Sequence, residues 1–393
     1  MRNKTRFYYL PAVALLLLPL WMWLAWLLSP KRPLVAAIVD KTVLRSDGQE
    51  HISLTWILNH QRFTKTRREP YAIDRDYFGF FPLDKGQYRV KGLERFTDAQ
   101  LAQLSRDADL AYYTDTYGIY RQEWSAGASQ TERSGILYGG MSRKDVAFLS
   151  LMKAQHKLII TEFNDINSPT DPGVRQEFER TFGLRWTGWI GRYFDSLDTT
   201  VNAELPRWLV RNYKRQHNGR WPFTKAGIAY VSERDEVVVL EEETHLERRL
   251  PQLHATPAGQ ARFSLPDNIR YTYWFDVLTY DPQINRELAY YEIRPTAAGT
   301  RELARYRLPT RFPAILEHDG TDYSFYYFAG DFCDNPVSLT SAYFKGIHWL
   351  APIAYMTEGL TERKGFFWRV YRPMITQLLE ERWARKTGAT AAR

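Results

Sequence analysis

Residues 138–167 read Tyr138-Gly139-Gly140-Met141-Ser142-Arg143-Lys144-Asp145-Val146-Ala147-Phe148-Leu149-Ser150-Leu151-Met152-Lys153-Ala154-Gln155-His156-Lys157-Leu158-Ile159-Ile160-Thr161-Glu162-Phe163-Asn164-Asp165-Ile166-Asn167. Ser142 with Asp145 three residues on resembles a capping box, and Val146, Leu149 and Met152 recur at helical spacing, so one stripe of a helix faces a core. The apolar run 157–161 has no polar alternation, which suits a central strand of a parallel sheet covered on both faces. Ligands of such sheets bind beyond the carboxyl ends of the strands, where Glu162, Asn164 and Asp165 fall.

The chain on either side supplies more of the same sheet. Leu34-Val35-Ala36-Ala37-Ile38-Val39 is a strand ending in Asp40-Lys41-Thr42. Ser46-Asp47-Gly48-Gln49 offers an N-cap to a helix with Ile52, Trp56 and Ile57 inward. A strand at 88–90, a helix at 98–105 and a strand at 108–113 follow, the last opening into Thr114-Asp115-Thr116-Tyr117-Gly118. Residues 121–135 are polar and rich in Ser and Gly, a loop able to move over the site. Asp171-Pro172 has N-cap and N1 chemistry, and Gly183 ends that helix after Val174, Phe178 and Phe182. Residues 186–194 are too glycine-rich for a helix and read as a strand or packed loop. A helix after Pro206 and a hairpin at 228–240 come next, and 245–265 reads as loop. Residues 270–330 carry strands at 271–280, 288–293, 312–316 and 323–328. Helical segments near 338–348 and 373–385 close the chain.

The expected fold is thus α/β: a doubly wound, mainly parallel sheet with a β-rich C-terminal extension, plus one N-terminal transmembrane helix. The divisions are 1–32 for a cytoplasmic tail and anchor, 33–245 for the α/β domain, 246–335 for the extension returning to the sheet, and 336–393 for a helical basic tail. The anchor rests on residues 8–29, which hold no charged side chain; about 20 helical residues span the hydrocarbon layer. A cleaved signal peptide fits less well, because the run exceeds the usual ~7–15 residues and no small-residue cleavage site follows. Basic residues flank both sides, and a short basic tail before a signal anchor stays in the cytoplasm, which predicts a single-pass protein of the cell (inner) membrane with an extracytoplasmic body.

The chain has 393 residues and a net charge of +8. Residues 1–32 and 361–393 supply +5 each, leaving −2 for residues 33–360. A body without basic excess argues against nucleic acid despite a pI near 9.3. Cys333 is the only cysteine, which excludes an internal disulfide, a cysteine-based zinc site and a CxxC pair. The eight histidines lack i, i+4 or HExxH spacing, so neither a metal nor another cofactor is expected.

The order of the Asp40 strand, the Asp115 loop, Tyr138-Gly139-Gly140 and the strand at 157–161 resembles the class I glutamine amidotransferase-like, flavodoxin-like fold over residues 34–240, with Asp331 returning to the same sheet. In that family the strand matching 157–161 leads into a sharp turn carrying a nucleophilic cysteine between glycines. Here the turn reads Thr161-Glu162-Phe163-Asn164, with no thiol and no glycine pair. The resemblance therefore implies the fold without the amidotransferase reaction.

Two functions fit an exported body of this kind. One is a ligand-binding or accessory module in cell-envelope polysaccharide metabolism, with a glycan or envelope protein as partner. Its expected ligand-binding residues are Asp40, Tyr117, Gly139, Gly140, Asn164, Asp165 and Arg192. The other is a carboxylate-dependent glycan hydrolase with Glu162 as acid or base and Asp115 or Asp331 as its partner. Against both stands the reading that acids at strand ends cap helices or bond loop amides. Finally, Gly365-Phe366-Phe367-Trp368-Arg369-Val370-Tyr371-Arg372 either lies at the membrane interface or packs its rings on the core.

Overall fold

The computed structural model describes residues 16–45, 49–66, 68–125, 135–354 and 363–388. The strands of the two larger sheets are β1 (Ala36–Asp40), β2 (Phe78–Pro82), β3 (Tyr88–Lys91), β4 (Leu110–Asp115), β5 (Leu158–Glu162), β6 (Leu184–Phe194), β7 (Gly227–Ser232), β8 (Val237–Glu241), β9 (Gln252–Ala255), β10 (Asn268–Arg270), β11 (Trp274–Tyr280), β12 (Arg286–Glu292), β13 (Arg311–Asp319) and β14 (Ser324–Phe328). The helices are α1 (Leu18–Leu28), α2 (Ile52–His60), α3 (Asp98–Asp107), α4 (Arg143–Ala154), α5 (Pro172–Phe182), α6 (Arg207–Gln216), α7 (Pro257–Phe263), α8 (Ala297–Arg305), α9 (Ile347–Ala354) and α10 (Arg372–Thr387), with short turns between.

Local chemistry sets several of these ends. The Ser142–Asp145 capping box closes both ways at the start of α4. Asp171 accepts the N–H groups of Gly173 and Val174 ahead of Pro172, and Gly183 ends α5 in the left-handed region at φ 67°. Every residue of β4 and β5 is buried, as uninterrupted apolar strands require.

A ten-stranded sheet runs in the order β10-β9-β12-β13-β14-β5-β4-β1-β2-β3. Its middle, β14-β5-β4-β1-β2, is parallel throughout. Both flanks are antiparallel. Chain direction around β1 reverses here: β2 lies on one side, and the chain then crosses to β4 and β5 on the other, which makes the carboxyl ends of β1 and β4 a topological switch point. Successive tyrosines of β4 show the two faces. Tyr113 Oη donates to Asp145 of α4 at 3.2 Å, while Tyr112 Oη meets Tyr371 Oη beside α10 at 2.8 Å. Helices α3, α4 and α5 pack together on the first face, and α2 and α10 on the second. A second sheet, β8-β7-β6-β11, is antiparallel and carries α6 over a smaller apolar core with Leu209, Val231 and Val239.

The mainly parallel sheet expected from sequence is therefore a mixed one, because β9, β10, β12 and β13 join its edge antiparallel. The division expected at residue 245 falls inside these sheets: β11 pairs with β6, and β14 with β5. Residues 245–265 are not loop; they form β9 and α7, and α8 interrupts the stretch read as strands. The N-cap expected at Ser46-Asp47-Gly48 lies outside the described residues; α2 begins after His51. Among the described residues no helix is long and apolar enough to cross a membrane. Part of the expected span, residues 8–15, lies outside them, as do residues 126–134 of the polar loop. The aromatic tail packs on the core: Phe367 is fully buried, and Phe367 and Trp368 each meet the Trp56 ring edge-on at 5.3 Å.

Candidate functional site

Three carboxylates meet beyond the carboxyl ends of the parallel strands. Glu50, on the segment from β1 to α2, and Asp331 and Asp334, on the loop after β14, bring one oxygen each within 4.8 Å of one another, and all three are half-buried. The two segments are tied directly: Ser53 N–H donates to the Cys333 carbonyl at 3.3 Å and Asn335 Nδ2 to Ser53 Oγ at 3.1 Å. Burial, followed by the charges of Asp334 and its neighbours, pushes the carboxyls of Glu50 and Asp331 well above the ordinary range. Like charges this close cannot all ionise without a proton or a cation among them. Three oxygen ligands with this spacing are able to hold a hard divalent cation.

One wall of the cluster is cationic and aromatic. Arg363 Nη1 donates to the Asp334 carbonyl at 2.6 Å and to its Oδ2 at 3.1 Å, and the guanidinium lies 3.8 Å from the Tyr273 ring centre. Arg192 stands 4.8 Å from the same ring and pairs with Glu204. The half-buried Trp274 follows, and its carbonyl accepts the Asp331 N–H at 3.3 Å.

Beneath lies a second, buried set of acids. Asp40 Oδ2 accepts the Glu50 N–H at 2.9 Å and contacts His51 Nδ1 at 2.7 Å. The other ring nitrogen of His51 faces the Ile73 carbonyl at 3.1 Å. Both ring nitrogens thus face oxygens, and the imidazole is held between Asp40 and the Ile73 carbonyl. Asp115 Oδ1 accepts from Thr42 Oγ1 at 2.7 Å and Tyr117 N–H at 2.6 Å, and burial lifts its pKa to about 7.

Glu162, expected to act as acid or base, has no exposed surface. Its Oε2 accepts the Phe332 and Cys333 N–H groups at 2.9 Å each, and Tyr112 Oη donates to Oε1. Desolvation raises its pKa to about 8. These bonds tie the loop that follows Asp331 to the end of β5. Asp165 is also fully buried, with Oδ2 accepting the Glu162 N–H at 2.8 Å, and Asn164 occupies the left-handed turn at φ 65°. Gly139 and Gly140 stand where backbones meet: a Cβ on Gly139 would lie 2.5 Å from the Tyr117 carbonyl oxygen, and Gly140 N–H donates to Thr116 at 2.6 Å. They serve the packing of that loop. Of the expected residues, Asp331 joins the half-buried cluster, Arg192 reaches it through Tyr273, and Asp40 supports it from below. Glu50, Asp334 and Arg363 were missed, and Tyr273 was read only as part of the strand at 271–280; their spacing along the chain gives no sign that they meet.

Lys41 is fully buried, bonded to Asp145 Oδ2 at 2.7 Å, to the Gly140 carbonyl at 3.0 Å and to Glu94. Burial alone would lower its pKa, but the charges of Asp145 and Glu94 raise it. Cys333 is buried with its sulfur accepting from Tyr371 Oη at 3.0 Å, and burial pushes the thiol well up, which disfavours the thiolate. An open groove of about 770 Å³, lined by Arg175, Trp186, Gly188 and Glu233, lies at the Tyr280 end of β11. That is about 20 Å along the strand from Trp274.

No protein-family model matches the chain, and none of the curated proteins does. Among solved structures it is similar to a glutamine amidotransferase from Thermotoga maritima, at 8% identity and TM-score 0.38 over 88% of this chain and 98% of that one. A ThuA-like protein from Parabacteroides merdae is similar at 9% identity and TM-score 0.33, over 76% and 79%. The β-galactosidase from Bacillus circulans sp. alkalophilus matches at 9% identity and TM-score 0.25; this chain covers 21% of that one, and 58% of its own length is matched. At such scores these likenesses assign neither fold nor activity.

Proposed function

We propose that the chain is a membrane-anchored binding module whose ligand is a hydroxyl-rich glycan of the cell envelope, and that it performs no amidotransferase reaction. The observation that carries this is the juxtaposition of Glu50, Asp331 and Asp334 with the Tyr273 ring at the switch point, with Trp274 next along the strand and bonded through its carbonyl to Asp331. Carboxylates accept from sugar hydroxyls, flat rings cover the apolar faces of pyranoses, and such crevices are where open α/β sheets take ligands. A buried thiol and a turn without cysteine argue against nucleophilic acyl transfer. The test is calorimetric titration of the full chain in detergent with envelope glycan fragments, beside Asp331→Asn and Glu50→Gln. Saturable binding lost in both variants supports the reading; binding unchanged by both substitutions would falsify it.

A second reading has one observation in its favour. Carboxyl oxygens within 4.8 Å come close to the separation of about 5–5.5 Å at which retaining glycosidases place nucleophile and acid. Hydrolysis would then depend on Glu50 and Asp331, with Glu162 outside the chemistry. Release of reducing sugar by the full chain, abolished in Glu50→Gln and kept in Glu162→Gln, would favour it over binding alone.

A further inference from the structure

The apolar run at 8–29 and the folded body are in contact in a way that constrains how the body meets a bilayer. Trp26 Nε1 donates to the Asn59 carbonyl at 2.9 Å, its ring meets Tyr343 edge-on at 4.9 Å, and the Arg62 guanidinium lies 4.4 Å from its centre. Lys345 N–H donates to the Met22 carbonyl at 3.0 Å. The run from Met22 onward is therefore docked on the end of α2 and on the turn Leu339–Tyr343.

As a helix, residues 8–29 would reach about 33 Å, enough for a hydrocarbon layer of about 30 Å. Only residues 8–21 precede the docked part, and as a helix they would reach about 21 Å. The shortfall of roughly 9 Å means that the body's own surface beside Met22 must enter the membrane if the run crosses it.

That surface is apolar. Directly after Lys345 comes α9, reading Ile347-His348-Trp349-Leu350-Ala351-Pro352-Ile353-Ala354, with Trp349 74% and Leu350 42% exposed. Nine of the fourteen large apolar side chains that are exposed among the described residues belong to 16–28 and α9. The rest are scattered over the body. Arg62, over the Trp26 ring, and Lys345, bonded through its N–H to Met22, stand beside the docked helix, as cations that meet lipid phosphate stand beside interfacial rings.

We propose that α9 is a second membrane element: Trp349 and Leu350 insert into the phospholipid bilayer beside the N-terminal helix, at the depth of Met22. This rests on the anchored reading above and deepens it, since α2 then fixes the site's position. The first turn of α2 adjoins Glu50 and His51 and its last turn touches Trp26, so the length of α2, about 14 Å, runs from the acidic cluster to the docked helix.

The buried Cys333 makes a labelling test clean. Full-length Trp349→Cys and Leu350→Cys, each carrying an environment-sensitive fluorophore, are reconstituted in vesicles of phosphatidylethanolamine and phosphatidylglycerol. Arg301→Cys, on the exposed side of α8, is the aqueous reference. The expected result is strong quenching at 349 and 350 by spin-labelled lipid and several-fold weaker quenching by iodide than at 301. Iodide quenching equal to that at 301 overturns the proposal. Shielding from both quenchers also overturns it, since the cover would then be protein, such as a second copy. Alkaline carbonate extraction of the same vesicles reads the anchor separately. Release of the chain counts against anchoring, whereas retention with an aqueous residue 349 counts against the α9 contact alone.

Discussion

Glu162 and Asp165 at the end of β5, and Glu50, Asp331 and Asp334 on the loops after β1 and β14, are acids at one end of one sheet, yet their surroundings differ in kind. Glu162 has its oxygens matched by two backbone N–H groups and a tyrosine hydroxyl, with no exposed surface. Glu50 and Asp331 keep only partial exposure and face chiefly other carboxylates. A buried acid whose bonds are all made inside the chain stabilises a loop, and substituting it is costly. An acid crowded by like charges is held at a cost in stability, and such strain is retained where a ligand or a reaction relieves it. The contrast separates scaffold from site, and four measurements can break or sharpen it.

The largest effect is expected at the most enclosed ion pair. Lys41→Ala leaves Asp145 buried without its cation, and chemical denaturation should show a loss of about 3–5 kcal/mol. A loss below 1 kcal/mol would mean that water or another cation replaces the lysine.

Glu162 is next, and two substitutions divide its roles. Glu162→Ala strands the Phe332 and Cys333 N–H groups and should cost about 2–4 kcal/mol, with a lower thermal midpoint. Glu162→Gln keeps an acceptor for both and should cost under about 1.5 kcal/mol, leaving glycan binding intact. Binding lost in a folded Glu162→Gln protein would move Glu162 from scaffold to site.

The third measurement is stability against pH. Glu162 at about 8, and Asp115 and Asp276 at about 7, all lie above their unfolded values near 4, with desolvation as the first cause. A raised carboxyl favours the folded state fully below the unfolded pKa, and that contribution fades as pH rises through the folded one. Stability should therefore fall between about pH 4 and pH 8, by up to about 1.4 kcal/mol per pH unit for each group titrating. Glu162→Gln should flatten the upper part of that fall. An unchanged slope would show that Glu162 ionises without penalty.

The smallest effect has the opposite sign. Glu50→Gln or Asp331→Asn removes one charge from a crowded trio and should raise stability by about 0.5–1 kcal/mol while abolishing ligand binding. Destabilisation in both would place this cluster with the scaffold. A midpoint that rises with added calcium or magnesium in the unaltered chain, and not in either variant, would identify the neutralising species as a cation.

What the sequence by itself determined was local. The capping box at Ser142 and Asp145, the Asp171-Pro172 start and Gly183 stop of α5, and the unbroken apolar runs of β4 and β5 each follow from interactions within a few residues, and each is present. The absence of a cysteine at the turn after β5 was equally plain. Only tertiary structure decided which acids face solvent. Glu162 and Asp331 both follow buried strands, but β14 returns beside β5 after some 160 residues, and its loop folds down so that Phe332 and Cys333 cover Glu162 while Asp331 is left beside Glu50. The same holds for the tail, where Phe367 and Trp368 met Trp56 of α2 rather than lipid, and the exposed apolar surface fell to Trp349. Spacing along a chain reports which side chains share a face of one element; it carries no information about what a distant loop lays over that face.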